Sequence, residues 1–424
     1  MTPKLADDCF VLDKDRIPHR EALAILEARV RPVVSSEEVG LADATGRFLA
    51  EPIVAPRPIP AHDNAAVDGY AFAYASYDKG GGARLRIAGQ ASAGHPFCGK
   101  PSAKDAVRIF TGAVMPEGLD TVVMQEDVTV DDGASERWVT IPPGLKQGAN
   151  RRLAGEDAKA DAVLVAAGTR LRPQEIASAA AAGLDRLRCH TPLKVAIAST
   201  GDEIVRPGER FALGKVYDAN APMLEGLIKA VGVNAFDLGI LADKADRVRA
   251  ALLEASESYD AIIVSGGASQ GAEDHVARSI EALGKRHLWQ IAIKPGRPMS
   301  FGQIGNAVVL GLPGNPVAVF VCFLMYVRPV LTRLAGGSWP EPVRYPLPAA
   351  FSQKKKLGRR EFWRGKLINA HGRLQVVKFP RDGSGLISSL RESDGLIEVP
   401  EDVAEVREGD AVHFMPFSEF GLLR

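Results

Sequence analysis

The sequence predicts a multidomain chain of α/β plus β class. Three observations predict it. The 424 residues are too many for one domain at roughly 150 residues each and suggest about three. Between residues 193 and 335, apolar strands alternate with helices, the rhythm of a doubly wound parallel sheet with helices on both faces. On either side of that stretch, short β-rich runs alternate with Gly and Pro clusters. The expected organisation is a helical linking domain from 1–50 and 158–190, a β-rich module inserted at 51–157, the α/β domain at 191–340 and a small β domain at 341–424.

Each element has a local reason. Pro18–Val30 sets Ala22, Leu23, Leu26 and Val30 at helical spacing behind a proline and reads as a helix. Leu41–Ala50 reads as a shorter helical turn. The runs LRIAGQA, AVRIF, TVVMQEDVTV and WVTI read as strands between turn clusters such as Gly80-Gly81-Gly82 and Pro142-Pro143-Gly144. Arg172–Gly183 is Ala-rich, with Pro173 near its start and Gly183 at its end, and reads as a helix. A β module inserted in one helical layer is the economical topology. In the α/β domain, LKVAIAST, NAFDLGI, YDAIIVS, LWQIAI and AVVLGL are the expected strands. Asn220–Val231, Ala245–Ser256 and Asp274–Leu283 are the expected helices. The apolar run Val317–Val327 is short of the about 20 residues a bilayer takes and reads as a buried helix ending at Arg328-Pro329. The tail supplies FWRGKLI, LQVVKF, GLIEV and AVHFMPF as strands.

Composition narrows the function. With 46% hydrophobic and 25% charged residues, a disordered or collagenous chain is excluded. Lys+Arg and Asp+Glu are both 52, which argues against non-specific nucleic-acid binding, since that needs surplus cation to displace counterions. Cys9, Cys98, Cys189 and Cys322 are far apart with no CxxC pair, so free thiols in a reducing cytoplasm are expected. The first residues are acidic and carry no apolar signal-peptide core, and neither a nucleic-acid nor a membrane partner is expected.

In a doubly wound domain, ligands bind beyond the carboxyl ends of the strands, near a topological switch point. Four segments follow expected strands: 199–203, 265–269, 294–298 and 312–316. Ser265-Gly266-Gly267 lets backbone N–H groups approach an anion closely. Lys294 and Arg297 bracket a Pro-Gly turn and supply two cations. Pro313-Gly314-Asn315-Pro316 leads into a helix whose N-terminus favours anions. Glu203, Asp243 and Asp274 add carboxylates, and Mg²⁺ is the usual bridge between carboxylates and phosphate oxygens. A Mg²⁺–phosphate site follows. Singly, each of these groups is more often a turn, a helix cap or a solvated residue; their convergence shifts the odds.

Other patterns carry less. Gly94–Pro101 approaches a phosphate-binding loop but has Pro101 where a Ser or Thr is needed, no GxGxxG opens the α/β domain, and no His pair has metal-ligand spacing. The basic run Lys354–Lys366 reads as a solvated hairpin rather than an anion-attracting rim. In the β module, 62–71, 108–112 and 152–157 each group acids with glycines, and each alone reads as structural.

On these residues the chain resembles the MoeA family of molybdopterin molybdenumtransferases, related to the C-terminal domain of gephyrin. The matching stretches are DNAAVDGYA (63–71), RIFTGAVMPEGLDTVVMQED (108–127), GANRRLAGED (148–157), STGDEI (199–204), YDAN (217–220), SGGASQGAED (265–274), AIKPGRP (292–298) and GLPGNPVA (311–318). The family usually has Ser and Met at the places of Ala65 and Val67, and differs at Ala268, Gln270 and Arg297; the acids and glycines are retained.

The resemblance implies four domains, an elongated homodimer, and a site shared between the α/β domain of one subunit and the β module of the other. It implies consumption of molybdate and adenylylated molybdopterin, release of AMP, and a requirement for Mg²⁺. Asp274 and Asp243 would bind the metal. Asp63, Thr111 and Asp157 would reach across the dimer to join Glu203 in positioning molybdate or water. Ser265, Gly266, Gly267 and Ser269 would cradle pterin or phosphate. Lys294 and Arg297 would hold phosphate or oxyanion, beside Pro313, Gly314 and Asn315. The molybdopterin adenylyltransferase and molybdoenzyme chaperones would be partners. Two alternatives stay open: a non-catalytic pterin-binding scaffold, and the adenylyltransferase of the preceding step.

Overall fold

The computed structural model describes residues 16–133, 136–266, 275–296, 299–370 and 372–422. The chain divides into two compact units. One holds 52–166 and 172–187; the other holds 188–424, 167–171 and the segment up to Glu51.

In the first of these, six strands among the described residues form one sheet. Their order is Thr121–Met124, Gly69–Phe72, Asp105–Ile109, Ala83–Ala91, Arg137–Ile141 and Thr129–Asp132. The run 121–130, expected as one strand, is two strands on opposite edges of this sheet. A single 3₁₀ turn, Gln125–Asp127, separates them, so the sheet curls until its edges are neighbours along the chain. Alternate residues fill two cores: Tyr70, Phe72, Val123 and Val139 on one face, Ala71, Val107, Ile109 and Val122 on the other. That is why Thr121-Val122-Val123 is continuously buried rather than alternating. The helix Pro173–Ala181 packs on the strand Val163–Val165 of the same unit.

The other unit begins with α1 (His19–Arg29), which buries His19, Ala22 and Leu26. Its α/β part runs β1 (Lys194–Thr200), α2 (Asn220–Val231), β2 (Asn234–Leu241), α3 (Ala245–Ser258), β3 (Ala261–Ser265), α4 (His275–Leu283), β4 (Gly284–Trp289), β5 (Ile293–Lys294), β6 (Ser300–Ile304), β7 (Ala307–Leu312) and the long helix α5 (Pro316–Leu334). Six described strands form a sheet in the order β2-β1-β3-β7-β6-β4. The first four are parallel, as expected; β6 and β4 are antiparallel. Val195, Ile197, Ile263 and Leu310 face a core shared with α2 and α5, while Ala196, Ile262, Val264 and Val309 face α3 and α4. Helices therefore cover both faces.

Two expectations are corrected here. LWQIAI is not one strand. Gln290 adopts φ +62° and turns the chain out of the sheet, and Ile293–Lys294 becomes β5, a strand of a different sheet. The unanticipated strand β6 is possible because glycines let the hairpin close. A Cβ on Gly284 would stand 1.8 Å from the Gln303 carbonyl oxygen, and one on Gly302 would stand 2.3 Å from Ile280. The second correction concerns α5. It does not end at Arg328-Pro329 but continues to Leu334 through a π-helical turn, Phe323–Val327. The wider turn leaves room for a proline ring that would clash in a regular α-helix. At 19 residues and a mean hydropathy of 1.8 the helix is long and apolar enough to cross a bilayer, yet 83% of that span is buried inside the protein, as in a core helix.

The C-terminal strands are β8 (Tyr345–Pro348), β9 (Arg360–Ala370), β10 (Arg373–Lys378), β11 (Gly395–Val399) and β12 (Ala411–Pro416). The sheet order is β5-β9-β11-β12-β8, with β10 on β9. β5 pairs in parallel with β9, placing Lys294 opposite Glu361. The basic run leading into β9 is not a solvated hairpin. Arg360 and Arg364 are buried, and Arg360 pairs with Glu398 and Glu401. The reason is position: β9 runs through the middle of its sheet, with Phe362 in one core and Trp363 in another.

Candidate functional site

A cleft of about 1210 Å³ opens beyond the carboxyl ends of β1, β3 and β7 and is walled on its far side by β9 and residues 382–387. It gathers eight of the residues singled out in the sequence: Glu203, Asp243, Ser265, Gly266, Lys294, Pro313, Gly314 and Asn315. Gly267, Ser269, Asp274 and Arg297 lie outside the described residues.

The cleft sits at the topological switch point. From β1 the chain passes to β2 on one side and then returns to β3 on the other. The ends of β1 and β3 are in register at Ser199 and Ser265, whose hydroxyls lie 3.2 Å apart. Gly266 follows at φ +87°, where a Cβ would stand 2.3 Å from the Thr200 carbonyl oxygen. Its N–H donates to Leu312 O at 3.2 Å. Gly266 therefore serves close approach of the three strand ends, and its own N–H is committed to β7 rather than free for an anion.

The start of α2 holds the next wall. Buried Asp218 accepts the N–H groups of Asn220 and Ala221, each at 3.0 Å, and pairs with Arg206 at 3.1 Å. Asn220 Nδ2 donates to Gly314 O at 2.8 Å, which ties the turn Pro313–Pro316 to α2. In the sequence, Tyr217–Asn220 stands out only as a family-matching stretch. The available signal was an Asx residue two positions before a helix.

Four buried polar atoms at or beside this edge have no hydrogen-bond partner among the described residues: Thr200 Oγ1, Asn220 Oδ1, Asp243 Oδ1 and His275 Nδ1. Such an atom costs about 1–3 kcal/mol when left unpaired, so a cluster of them marks a place where a ligand or ion completes the structure. Asp243 Oδ1 lies 3.9 Å from His275 Nε2, while the Asp243 N–H donates to Asp202 Oδ1 at 3.3 Å. Glu203 is exposed, its carboxylate folded back over Gly201.

The far wall was missed by sequence reasoning. Phe362, Trp363, Arg364, Asp382 and Ser384 line the cleft from the C-terminal domain, downstream of every expected site residue. Lys294 Nζ lies 3.9 Å from Glu361 Oε2, and buried Glu361 also accepts Arg359 Nε and Trp363 Nε1, each at 2.8 Å. Burial alone would raise the Asp382 carboxyl. The hydrogen bond and charge of Lys378, with Lys294 and Arg364, outweigh it and hold the group below its usual range. Burial lowers the guanidinium of Arg364, which donates to Ser389 Oγ at 3.0 Å and to Arg381 O at 3.1 Å.

Asp63, Thr111 and Asp157 lie in the other unit, on segments that are cross-linked to one another. Asp63 Oδ1 accepts the Ala154 N–H at 2.7 Å, and Asp63 O accepts the Met115 N–H at 2.9 Å. Thr111 donates both its N–H (2.8 Å) and its hydroxyl (2.7 Å) to Asp68 Oδ1, and these bonds hold the Asp68 carboxyl below its usual range. Asp157 is exposed, and its N–H donates to Ile59 O at 3.0 Å.

The carboxylates can be tested for a metal. Among the described residues no group of three or more His, Cys, Asp or Glu could hold an ion by itself. Mg²⁺ does not require one, since it takes one or two carboxylates plus substrate phosphates and water. The buried, unpartnered oxygen of Asp243 fits that coordination.

Comparison with known proteins agrees over most of the chain. Residues 17–183 match the family model "MoeA N-terminal region (domain I and II)", 196–333 match "Probable molybdopterin binding domain", and 346–417 match "MoeA C-terminal region (domain IV)". The chain is 36% identical over 385 residues to a protein of Haemophilus influenzae named molybdopterin molybdenumtransferase, covering 90% of this chain and 94% of the relative. A protein of the same name from Nostoc is 35% identical, covering 86% and 85%. A crystal structure of the molybdopterin biosynthesis MoeA protein from Pyrococcus horikoshii superposes with a TM-score of 0.81 at 28% identity, over 95% of this chain and 100% of that one.

Proposed function

The chain belongs to the MoeA family of molybdopterin molybdenumtransferases, and on that premise we propose that it inserts molybdate into adenylylated molybdopterin, releases AMP and requires Mg²⁺. Its broader role is that of a transferase in molybdenum cofactor biosynthesis. The observation that carries the finer reading is the unpartnered carboxylate oxygen of Asp243 on the same cleft as the ammonium of Lys294. Carboxylates and an anionic guest repel each other unless a cation lies between them.

The chain's own residues divide the work. Lys294, with Arg297, holds anionic groups of the substrates. The turn Pro313-Gly314-Asn315 lines the cleft at the N-terminus of α5, whose dipole favours negative charge, although Pro316 has no N–H and that of Val317 donates to Ser384 O at 3.1 Å. Thr200 Oγ1 and Asn220 Oδ1 offer unspent hydrogen-bonding capacity to the polar rim of a pterin. Glu203, exposed at the mouth, positions a water or the oxyanion. Asp243 and Asp274 would hold Mg²⁺, which would supply positive charge beside the phosphate oxygens.

A second copy of the chain completes the site with Asp63, Thr111 and Asp157. The cross-linking of their three segments and the exposure of Asp157 support this reading. The adenylyltransferase supplies the substrate, and molybdoenzyme chaperones take the product. A cytoplasmic setting suits the described cysteines, all free thiols.

The test is AMP release and molybdenum incorporation by the full chain given adenylylated molybdopterin, molybdate and Mg²⁺. Asp243→Asn is expected to lower both by at least about 100-fold while the thermal unfolding transition is kept. Absence of AMP release from the wild type would favour a scaffold. ATP turnover without molybdate would favour an adenylyltransferase.

A further inference from the structure

A second recess, of about 310 Å³, lies beside the main cleft and shares Lys294, Trp363 and Asp382 with it. Its other wall is the basic segment that leads into β9. Five cations line it, Lys294, Lys354, Lys355, Lys356 and Arg359, against two acids, Glu361 and Asp382.

The acids are already satisfied. Glu361 is buried and takes hydrogen bonds from Arg359 and Trp363. Asp382 pairs with Lys378 at 2.5 Å. Of the cations, Lys355 is structural: its Nζ donates to the carbonyls of Arg359 (2.9 Å), Lys356 (3.2 Å) and Glu401 (3.5 Å). Lys354 and Lys356 are exposed and form no ion pair among the described residues, and Lys294 Nζ stands 3.9 Å from Glu361 Oε2. The recess thus holds three ammonium groups with charge to spare around a small volume. Proteins do not collect like charges in a concavity without cost, because each repels the others where solvent screening is reduced. An anion removes that cost.

We propose that this recess is a second anion site, separate from the main cleft, which takes a small tetrahedral dianion of the molybdate and sulfate class. The volume holds such an ion with its water. Lys294 stands in the wall common to both cavities. An oxyanion held in the recess is therefore one side chain away from the main cleft, and the recess acts as a loading position for molybdate. The loading role rests on the function proposed above; the anion site does not.

The experiment measures equilibrium binding of molybdate to the full chain, with tungstate, sulfate and phosphate as competitors. The variants are Lys354→Gln/Lys356→Gln and, separately, Arg364→Gln in the main cleft. The lysines are exposed, so the fold is kept. The expected result is two classes of molybdate site in the wild type. The double lysine variant weakens one class by at least about tenfold, the effect of losing charge-assisted contacts, and Arg364→Gln leaves that class intact. Unaltered molybdate binding in the double variant overturns the site. For loading, the double variant raises the KM for molybdate in AMP release and leaves kcat unchanged. An unchanged KM, or displacement by sulfate and phosphate as effective as by tungstate, overturns the loading role. If the wild type binds molybdate in the recess but releases no AMP, the proposed function fails and the anion site stands.

Discussion

The thiol of Cys322 lies directly beneath Gly296: its Sγ is 3.5 Å from the Gly296 carbonyl oxygen, and a Cβ on Gly296 would stand 2.4 Å from it. The buried helix α5 thereby supports the Lys294-Pro295-Gly296 turn from below. Burial pushes the Cys322 thiol up to about 12, so it is a neutral packing group rather than a nucleophile.

Gly296 is held at φ +104°, a region that side-chain-bearing residues rarely adopt. Gly296→Ala is expected to cost about 1–3 kcal/mol from backbone strain, with a further loss from the collision with Cys322. Cys322→Ala in the same chain should recover the collision and leave the strain. Urea unfolding of the two single variants and the double variant checks this. Strict additivity would show that the two positions do not touch.

His19 supplies a pH prediction. It is buried on α1, 2.7 Å from the Tyr326 hydroxyl, and packs edge-on against Tyr326 and Phe362. Burial first, then the charge of Arg360, lowers its pKa to about 4, against the opposing pull of Glu398 and Glu401. The unfolded chain therefore takes up a proton between pH 6.5 and 4 that the folded chain refuses. Stability is complete above that window and falls as the pH drops through it, by on the order of 3 kcal/mol for this group. His287 is lowered to about 4 by burial and acts in the same direction. Urea midpoints followed from neutral pH downward should fall less steeply in His19→Gln than in the wild type. Parallel slopes would exclude His19 as a source.

The proposed sharing of the site between two subunits can be tested by mixing them. Asp157→Ala and Glu203→Ala, each inactive alone, are expected to recover about a quarter of wild-type AMP release after co-refolding. Random exchange makes half of the dimers mixed, and each mixed dimer carries one intact site. No recovery would place both residues in a site made by one chain.

Much of the secondary structure was legible locally. Asn220–Val231 is a helix with the expected bounds, because its apolar spacing and Gly232 at φ +88° are properties of neighbouring residues. The clustering of Glu203, Asp243, Ser265 and Asn315 was legible for a topological reason. Residues that follow parallel strands share an edge whatever packs there. LWQIAI was misread because apolar periodicity does not reveal which sheet a strand joins. Its last residue, Ile293, and the following Lys294 pair with Arg360 and Glu361 of β9, far along the chain, and only that pairing brings Lys294 opposite Glu361.

The sequence by itself determined the local elements, the α/β rhythm and the family, since these are written in short-range pattern and motif. Only the tertiary structure decided that the basic segment before β9 walls a cation-lined recess, that Trp363, Arg364 and Asp382 close the far side of the cleft, and that Thr200, Asn220 and Asp243 are left with unspent polar atoms. The physical reason is that charge and hydrogen-bonding capacity acquire meaning from burial and from distant partners, and neither is a property of a residue's neighbours in the chain.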